Sequence, residues 1–267
     1  MEAEHTLSMG DQIDEETAVS MLEPYIETLR QQLEQQDPIF LISIIVALAV
    51  VIVTCGDKTV RSSVLLVGLC DSGKTLLFSR LLSAKFKRTQ TSITDSSAPY
   101  KTKNDKSSTW TLIDLPGHDS LRSQYLEKFK SAARAIVFVV DSAIFQKEVR
   151  DVAEFLYVLL TDNVIYRNAP AILVACNKQD ITMAKSAKLI QQQLEKELNT
   201  LRVTRSAALS SQDGSIGGSV YLGKKGKDFD FSQLPMKVEF VECSARGNKG
   251  EEGEADIENL EKSLAKL

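Results

Sequence analysis

An apolar run, Val64–Val67, leads directly into Gly68-Leu69-Cys70-Asp71-Ser72-Gly73-Lys74-Thr75. This G-x-x-x-x-G-K-[ST] octet constrains the fold more than any other stretch, because it needs a strand before it and a helix after it. Its glycines let the backbone curl so that successive N–H groups converge on a phosphate, assisted by the positive end of the following helix. Lys74 supplies a point charge for the β- and γ-phosphates, and the Thr75 hydroxyl is a hard ligand for Mg2+. Leu76 completes the expected cradle.

The rest of the chain alternates apolar runs with helical patterns, the signature of a parallel sheet with helices on both faces. Strands are expected at Val64–Val67, Thr109–Asp114, Ala135–Asp141, Ala171–Cys176 and Val238–Glu242, with a more polar one near Ala98–Lys103. Helices are expected at Lys74–Ala84, Ser120–Ser131, Gln146–Leu160, Ala184–Asn199 and Asp256–Lys266. The fold class is therefore α/β, with a mainly parallel sheet of about six strands.

Three further motifs fall at the ends of these strands. Asp114-Leu115-Pro116-Gly117 is a D-x-x-G: Asp114 can hold Mg2+, commonly through water, and the Gly117 N–H can sense a γ-phosphate. Asn177-Lys178-Gln179-Asp180 is an N-K-x-D. The Asp180 carboxylate can accept hydrogen bonds from guanine N1–H and its exocyclic amine, a pairing adenine does not offer, while Asn177 and Lys178 brace the loop and cover the ring. Cys243-Ser244-Ala245-Arg246 completes the base pocket, with the Ala245 N–H available to guanine O6. Four elements in this order, each at a strand's C-terminal end, point to GTP and GDP with Mg2+. A P-loop kinase is excluded, since D-x-x-G and N-K-x-D have no role in one.

These residues resemble the Ras-like P-loop small GTPases and, through GLCDSGKT, their Arf/Sar branch. The resemblance covers about Lys58 to Leu267. It implies nucleotide contacts from Gln90, Thr91 and Ser92 in a switch segment, and a switch hydroxyl on Mg2+, for which Thr94 aligns first and Thr91 next. His118 stands where Ras-like enzymes place the glutamine that orients the attacking water. It is either that catalytic residue or a surface histidine. Glu2 after Met1 rules out the myristoylated glycine of Arf proteins, and no prenylation cysteine stands at the C-terminus.

An anchor is read elsewhere. Ile39–Cys55 runs seventeen residues without a charge, opened by Asp37-Pro38 as a helix start. At roughly 1.5 Å per residue it spans about 25 Å, near the roughly 27 Å of an endoplasmic reticulum bilayer. A cleavable signal would start at the N-terminus behind basic residues, whereas Met1–Asp37 holds ten acidic residues and only Arg30 as a base. Lys58 and Arg61 on the other flank put the C-terminal part in the cytosol. The expected organisation is an acidic lumenal segment 1–37, a single transmembrane helix 38–56 and a cytosolic GTPase domain 58–267. Val19, Leu22, Ile26, Leu29 and Leu33 suggest a short amphipathic helix in the lumenal part.

With an anchor and an insertion at 203–235, the chain resembles the anchored receptor branch of that superfamily, which implies a cytosolic partner subunit gripped through GTP-ordered switches at the endoplasmic reticulum. The insertion, rich in Gly, Ser and Lys, reads as a solvated loop or a partner-binding element. Two other functions stay open: an Arf/Sar-like GTPase recruiting vesicle coats, and a scaffold that keeps GTP without cycling. Beyond residue 37 the chain has 26 acidic and 31 basic residues, too slight a surplus to suggest direct nucleic-acid binding. Four scattered cysteines and two histidines give neither a disulfide framework nor a zinc site.

Overall fold

The protein is described from a computed structural model covering residues 61–101, 109–209, 220–247 and 253–267. The chain divides into two compact units, Met1–Lys58 and Thr59–Leu267, and the described residues all belong to the second. The apolar segment 39–55 and the amphipathic pattern before it lie outside them. Among the described residues no helix is long and apolar enough to cross a membrane.

Among the described residues six strands form one mixed sheet: β1 (Ser63–Val67), β2 (Ser96–Lys101), β3 (Thr109–Asp114), β4 (Ala133–Asp141), β5 (Ala171–Asn177) and β6 (Val238–Glu242), in the order β2-β3-β1-β4-β5-β6. All neighbours run parallel except β2, which lies antiparallel to β3 at one edge. The edge position explains the polar composition of β2, including Pro99, which has no N–H to give to a ladder. β1, β4 and β5 are covered on both faces and read as nearly unbroken apolar runs.

Period-2 alternation divides those strands between two cores. Val64, Leu66, Leu112, Val137, Val139 and Leu173 point one way, onto Leu77 and Leu81 of α1 (Lys74–Ser83) and Leu260 and Leu264 of α6 (Glu258–Leu264). Leu65, Val67, Ile136, Phe138, Ile172 and Val174 point the other way. They meet Leu126 of α2 (Asp119–Phe129), Leu156 and Leu160 of α3 (Phe145–Thr161), Ile165 of α4 (Asn163–Asn168) and Ile190, Leu194 and Leu198 of α5 (Ala187–Leu209). All five parallel strands end at the same edge, which gathers the loops carrying the motifs.

The described parts of 203–235 are not the solvated loop that is one of its two readings. Helix α5 runs on to Leu209, ten residues past its expected end. Residues 220–235 pack inward: Leu222, Phe229, Phe231 and Leu234 are buried in the α3–α5 core, and Phe231 stacks edge-on to Phe229 and Phe240 at 5.3 and 5.1 Å. Arg202 of α5, itself buried, donates to the carbonyls of Leu222, Lys224 and Lys227 at 3.4, 3.2 and 2.7 Å. In 220–235 the four apolar side chains, not the polar majority, decide where the segment goes. Residues 210–219 lie outside the described residues.

Phe231→Ala tests this packing. It should destabilise the domain by about 3–5 kcal/mol in chemical denaturation, the cost of emptying an aromatic site in a core. A loop side chain in solvent would move the midpoint by less than about 0.5 kcal/mol.

Candidate functional site

A cavity of about 330 Å3 opens at the C-terminal edge of the sheet, lined by Cys70, Asp71, Gly73, Lys74, Thr75, Leu76, Thr89, Gln90, Thr91, Ser92, Gly117 and Lys178. Its floor is the β1–α1 loop. Gly68 lies at φ 146°, and a Cβ there would come within 2.3 Å of the Val139 carbonyl oxygen. Gly73 lies at φ 91°, where a Cβ would meet the Asn177 side-chain amide at 2.4 Å. Gly117 has no room either: its Cβ would stand 2.6 Å from the Lys74 ammonium and 2.8 Å from the Cys70 backbone nitrogen. All three glycines are fixed by close approach.

Lys74 is buried, and its ammonium donates to the Leu69 carbonyl at 2.6 Å. Burial pushes its pKa below the usual lysine value, against the pull of Asp114, Cys70 and Asp71. Ser72 Oγ also donates to the Leu69 carbonyl, at 2.9 Å. Beside the lysine, Thr75 Oγ1 donates to Asp114 Oδ2 at 2.7 Å and stands 3.0 Å from Ser92 Oγ. Asp114 is 1% exposed, and burial raises its pKa against the opposing influence of the Thr75 hydroxyl and Lys74. Its other oxygen, Oδ1, is buried without a hydrogen-bond partner among the described residues.

A hydroxyl from the start of α1 and a carboxylate from the end of β3, the latter with an unpaired buried oxygen, form a hard-oxygen pair suited to a divalent cation. The further hydroxyl brought to that pair is that of Ser92. Thr94, expected as the metal ligand, is exposed two residues further on, beside Ile93 at 73% exposure. The geometry thus favours Ser92 over Thr94. Of the two readings of His118, the structure shows the surface one. It is exposed, and its Nδ1 caps α2, lying 3.4 Å from the donating Ser120 N–H and 2.9 Å from Ser120 Oγ.

The loops after β5 and β6 meet behind the phosphate loop. Asn177 donates through Nδ2 to the Ser72 carbonyl at 2.8 Å and accepts the Ala245 N–H through Oδ1 at 3.0 Å. The Ala245 N–H, expected to serve a base, is here committed to Asn177. Asp180 Oδ1 accepts from Ser244 Oγ at 2.6 Å, and that same hydroxyl oxygen accepts the Gly247 N–H at 2.9 Å. Lys178, a non-glycine residue at φ 66°, pairs with the buried carboxylate of Asp141. Asp141 also accepts the N–H groups of Ala143 at 2.9 Å and Ile144 at 3.4 Å.

Thr89, one of several hydroxyls that 89–95 offers, lines the cavity one residue before the expected switch contacts. Sequence reasoning passes over two residues. Asp141 could have been suspected as a carboxylate closing a long apolar strand. Arg80, 3% exposed in the last turns of α1, donates to Ala245 and other carbonyls, and nothing in its helical context marks it.

Close approach at Gly73 has a measurable cost. Gly73→Ala should lower stability by roughly 3 kcal/mol, combining a left-handed φ with the Asn177 overlap. Gly226→Ala is the control: φ is 77°, but no atom lies within 4 Å of its Cβ, so the loss should be about 1 kcal/mol. Equal losses in urea titrations would disprove the overlap.

Residues 59–238 match the signal recognition particle receptor beta subunit family. A rat protein named signal recognition particle receptor subunit beta is 59% identical over 274 residues, covering 100% of both chains. A chain in the structure of the mammalian SRP receptor is 65% identical with a TM-score of 0.67, covering 76% of this chain and 98% of that one. A Chaetomium thermophilum chain, described as signal recognition particle receptor SRb-GDP-Mg, is 26% identical with a TM-score of 0.55, covering 76% and 96%.

Proposed function

The chain belongs to the signal recognition particle receptor beta subunit family, and on that premise we propose that it is a GTP-binding switch subunit holding the receptor alpha subunit at the endoplasmic reticulum membrane during co-translational protein targeting. The observation that carries the nucleotide reading is the cavity itself. A phosphate loop whose glycines have no room for a Cβ, a buried lysine and the Thr75–Asp114 pair converge there, and two residues beyond Lys178, which lines the cavity, the Asp180 carboxylate is held by Ser244.

GTP and GDP fit these residues. The backbone from Gly68 to Thr75 and the Lys74 ammonium hold the phosphates. Lys178 covers the base and Asp180 reads its N1–H and exocyclic amine. Mg2+ fits Thr75 and Asp114, whose Oδ1 is a buried oxygen in need of a partner, with the Ser92 hydroxyl alongside. When bound, the cation neutralises charge on the phosphates. Asn177 keeps the phosphate and base loops at a fixed spacing through its two hydrogen bonds.

Switching depends on the residues that line the mouth. Thr89–Ser92 belong to a stretch without regular secondary structure, so contacts to a γ-phosphate can order it, and Ile93 at its crest offers apolar surface to the alpha subunit. Hydrolysis is slow or partner-assisted, and His118, whose Nδ1 caps α2, has only Nε2 left to meet a water. The segment 39–55 is the single-pass anchor, with 1–37 lumenal and the GTPase domain 58–267 cytosolic. A permanent anchor disfavours the coat-recruiting alternative, in which nucleotide governs membrane release.

Asp180→Asn should shift preference from GTP toward xanthosine triphosphate, whose 2-oxo group accepts where guanine donates. Unchanged GTP affinity would remove Asp180 from the base pocket. A pulldown with the protein loaded with GDP or a non-hydrolysable GTP analogue should retain the alpha subunit only in the GTP state. Equal capture would favour the non-cycling scaffold. Deleting Ile39–Cys55 should release the protein from carbonate-washed membranes, and continued association would refute the single anchor.

A further inference from the structure

Arg80 lies on α1, the helix whose first residues, Lys74 and Thr75, face the cavity. It points away from that cavity toward the loop after β6. Nε donates to the Ala245 carbonyl at 3.0 Å, and one terminal nitrogen donates to the carbonyls of Arg246 at 3.3 Å and Gly253 at 2.8 Å. The other terminal nitrogen donates to the Ala84 carbonyl at 2.8 Å, at the C-cap of its own helix. Arg80 is 3% exposed, and its guanidinium stacks 5.5 Å from the Phe86 ring. All four of these hydrogen bonds end on main-chain carbonyls.

A buried guanidinium bonded to several carbonyls fixes their positions strongly, since each bond is charge-assisted and water cannot substitute for it. Two of those carbonyls, of Ala245 and Arg246, lie between Ser244 and Gly247, the residues tied to Asp180. Ser244, next to Ala245, donates its hydroxyl to Asp180 Oδ1, and the same hydroxyl accepts the Gly247 N–H from the far side of Arg246. One rigid helix therefore touches the phosphate site at its first turn and the base-reading loop at its last.

We infer that Arg80 is a positioning residue for guanine recognition: it holds the Ser244–Gly247 loop so that Asp180 meets the exocyclic amine of the base. This inference rests on the guanine-nucleotide reading of the cavity. It assigns the selectivity of Asp180 to a side chain that does not touch the nucleotide.

The test compares GDP with inosine diphosphate, which lacks only the exocyclic amine, on the full-length chain in detergent micelles. The wild type should favour GDP strongly. Arg80→Met should reduce that preference about tenfold, the worth of one well-placed hydrogen bond to a charged group. Arg80→Lys keeps the charge but not the fork of donors, so it should retain more of the preference than Arg80→Met. It also carries the test alone if the methionine variant does not fold: there a fall of about threefold is expected. A purely structural arginine would weaken both nucleotides equally, leaving the ratio unchanged, and that result would overturn the proposal. A wild type that binds ADP as tightly as GDP would overturn the guanine reading beneath it.

Discussion

Asn177 is the side chain on which the arrangement of the edge depends. A primary amide offers donors on one atom and an acceptor on the other. Here the donor takes the Ser72 carbonyl of the phosphate loop and the acceptor takes the Ala245 N–H of the loop after β6. The residue is buried, so neither bond can be exchanged for water without loss. Because β5 is pinned between β4 and β6, the amide transmits the register of the sheet to both loops at once. The left-handed Gly73 is the complement of the same contact. Its missing Cβ leaves the space in which the amide sits.

Charge at the site is arranged by burial as much as by pairing. Lys74 and Asp114 are both removed from water, and their pKa values move toward each other from opposite sides. Each is the group a phosphate or a divalent cation would stabilise in its charged form. Pairing dominates on the base side instead, where Asp141 holds Lys178 in a backbone conformation that a lysine rarely adopts. The two halves of the cavity are thus built differently. In the phosphate half burial sets the charges, and in the base half an ion pair does.

Much of this was legible in residue order. Glycines at 68, 73 and 117 announced their places through the motifs that hold them, each where a Cβ would strike a neighbour, and the strands β3 and β6 matched their apolar runs end for end. Legibility failed where one side chain outweighs its surroundings. Among several hydroxyls at 89–95, sequence could not tell which the chain path carries to Thr75, and the structure brings Ser92. His118 sits at the expected position, but a histidine after a glycine serves equally as a helix cap, and here it does. In 220–235 the polar majority concealed four apolar residues at irregular spacing, which no periodic template detects. Arg80 and Arg202 are the extreme case, since a helical arginine reads as solvent-facing and each is buried.

Arg202 fastens its segment through carbonyls, and every residue has a carbonyl. The arginine is therefore indifferent to which side chains occupy 222, 224 and 227. It responds only to where the main chain passes. Substitutions of Lys224 and Lys225 leave the fastening intact, while inserting or deleting one residue moves the oxygens out of reach of a planar fork with fixed angles. Outside its buried apolar positions and its left-handed glycines, the segment is held more to a constant length than to a composition, and much of its information resides in spacing.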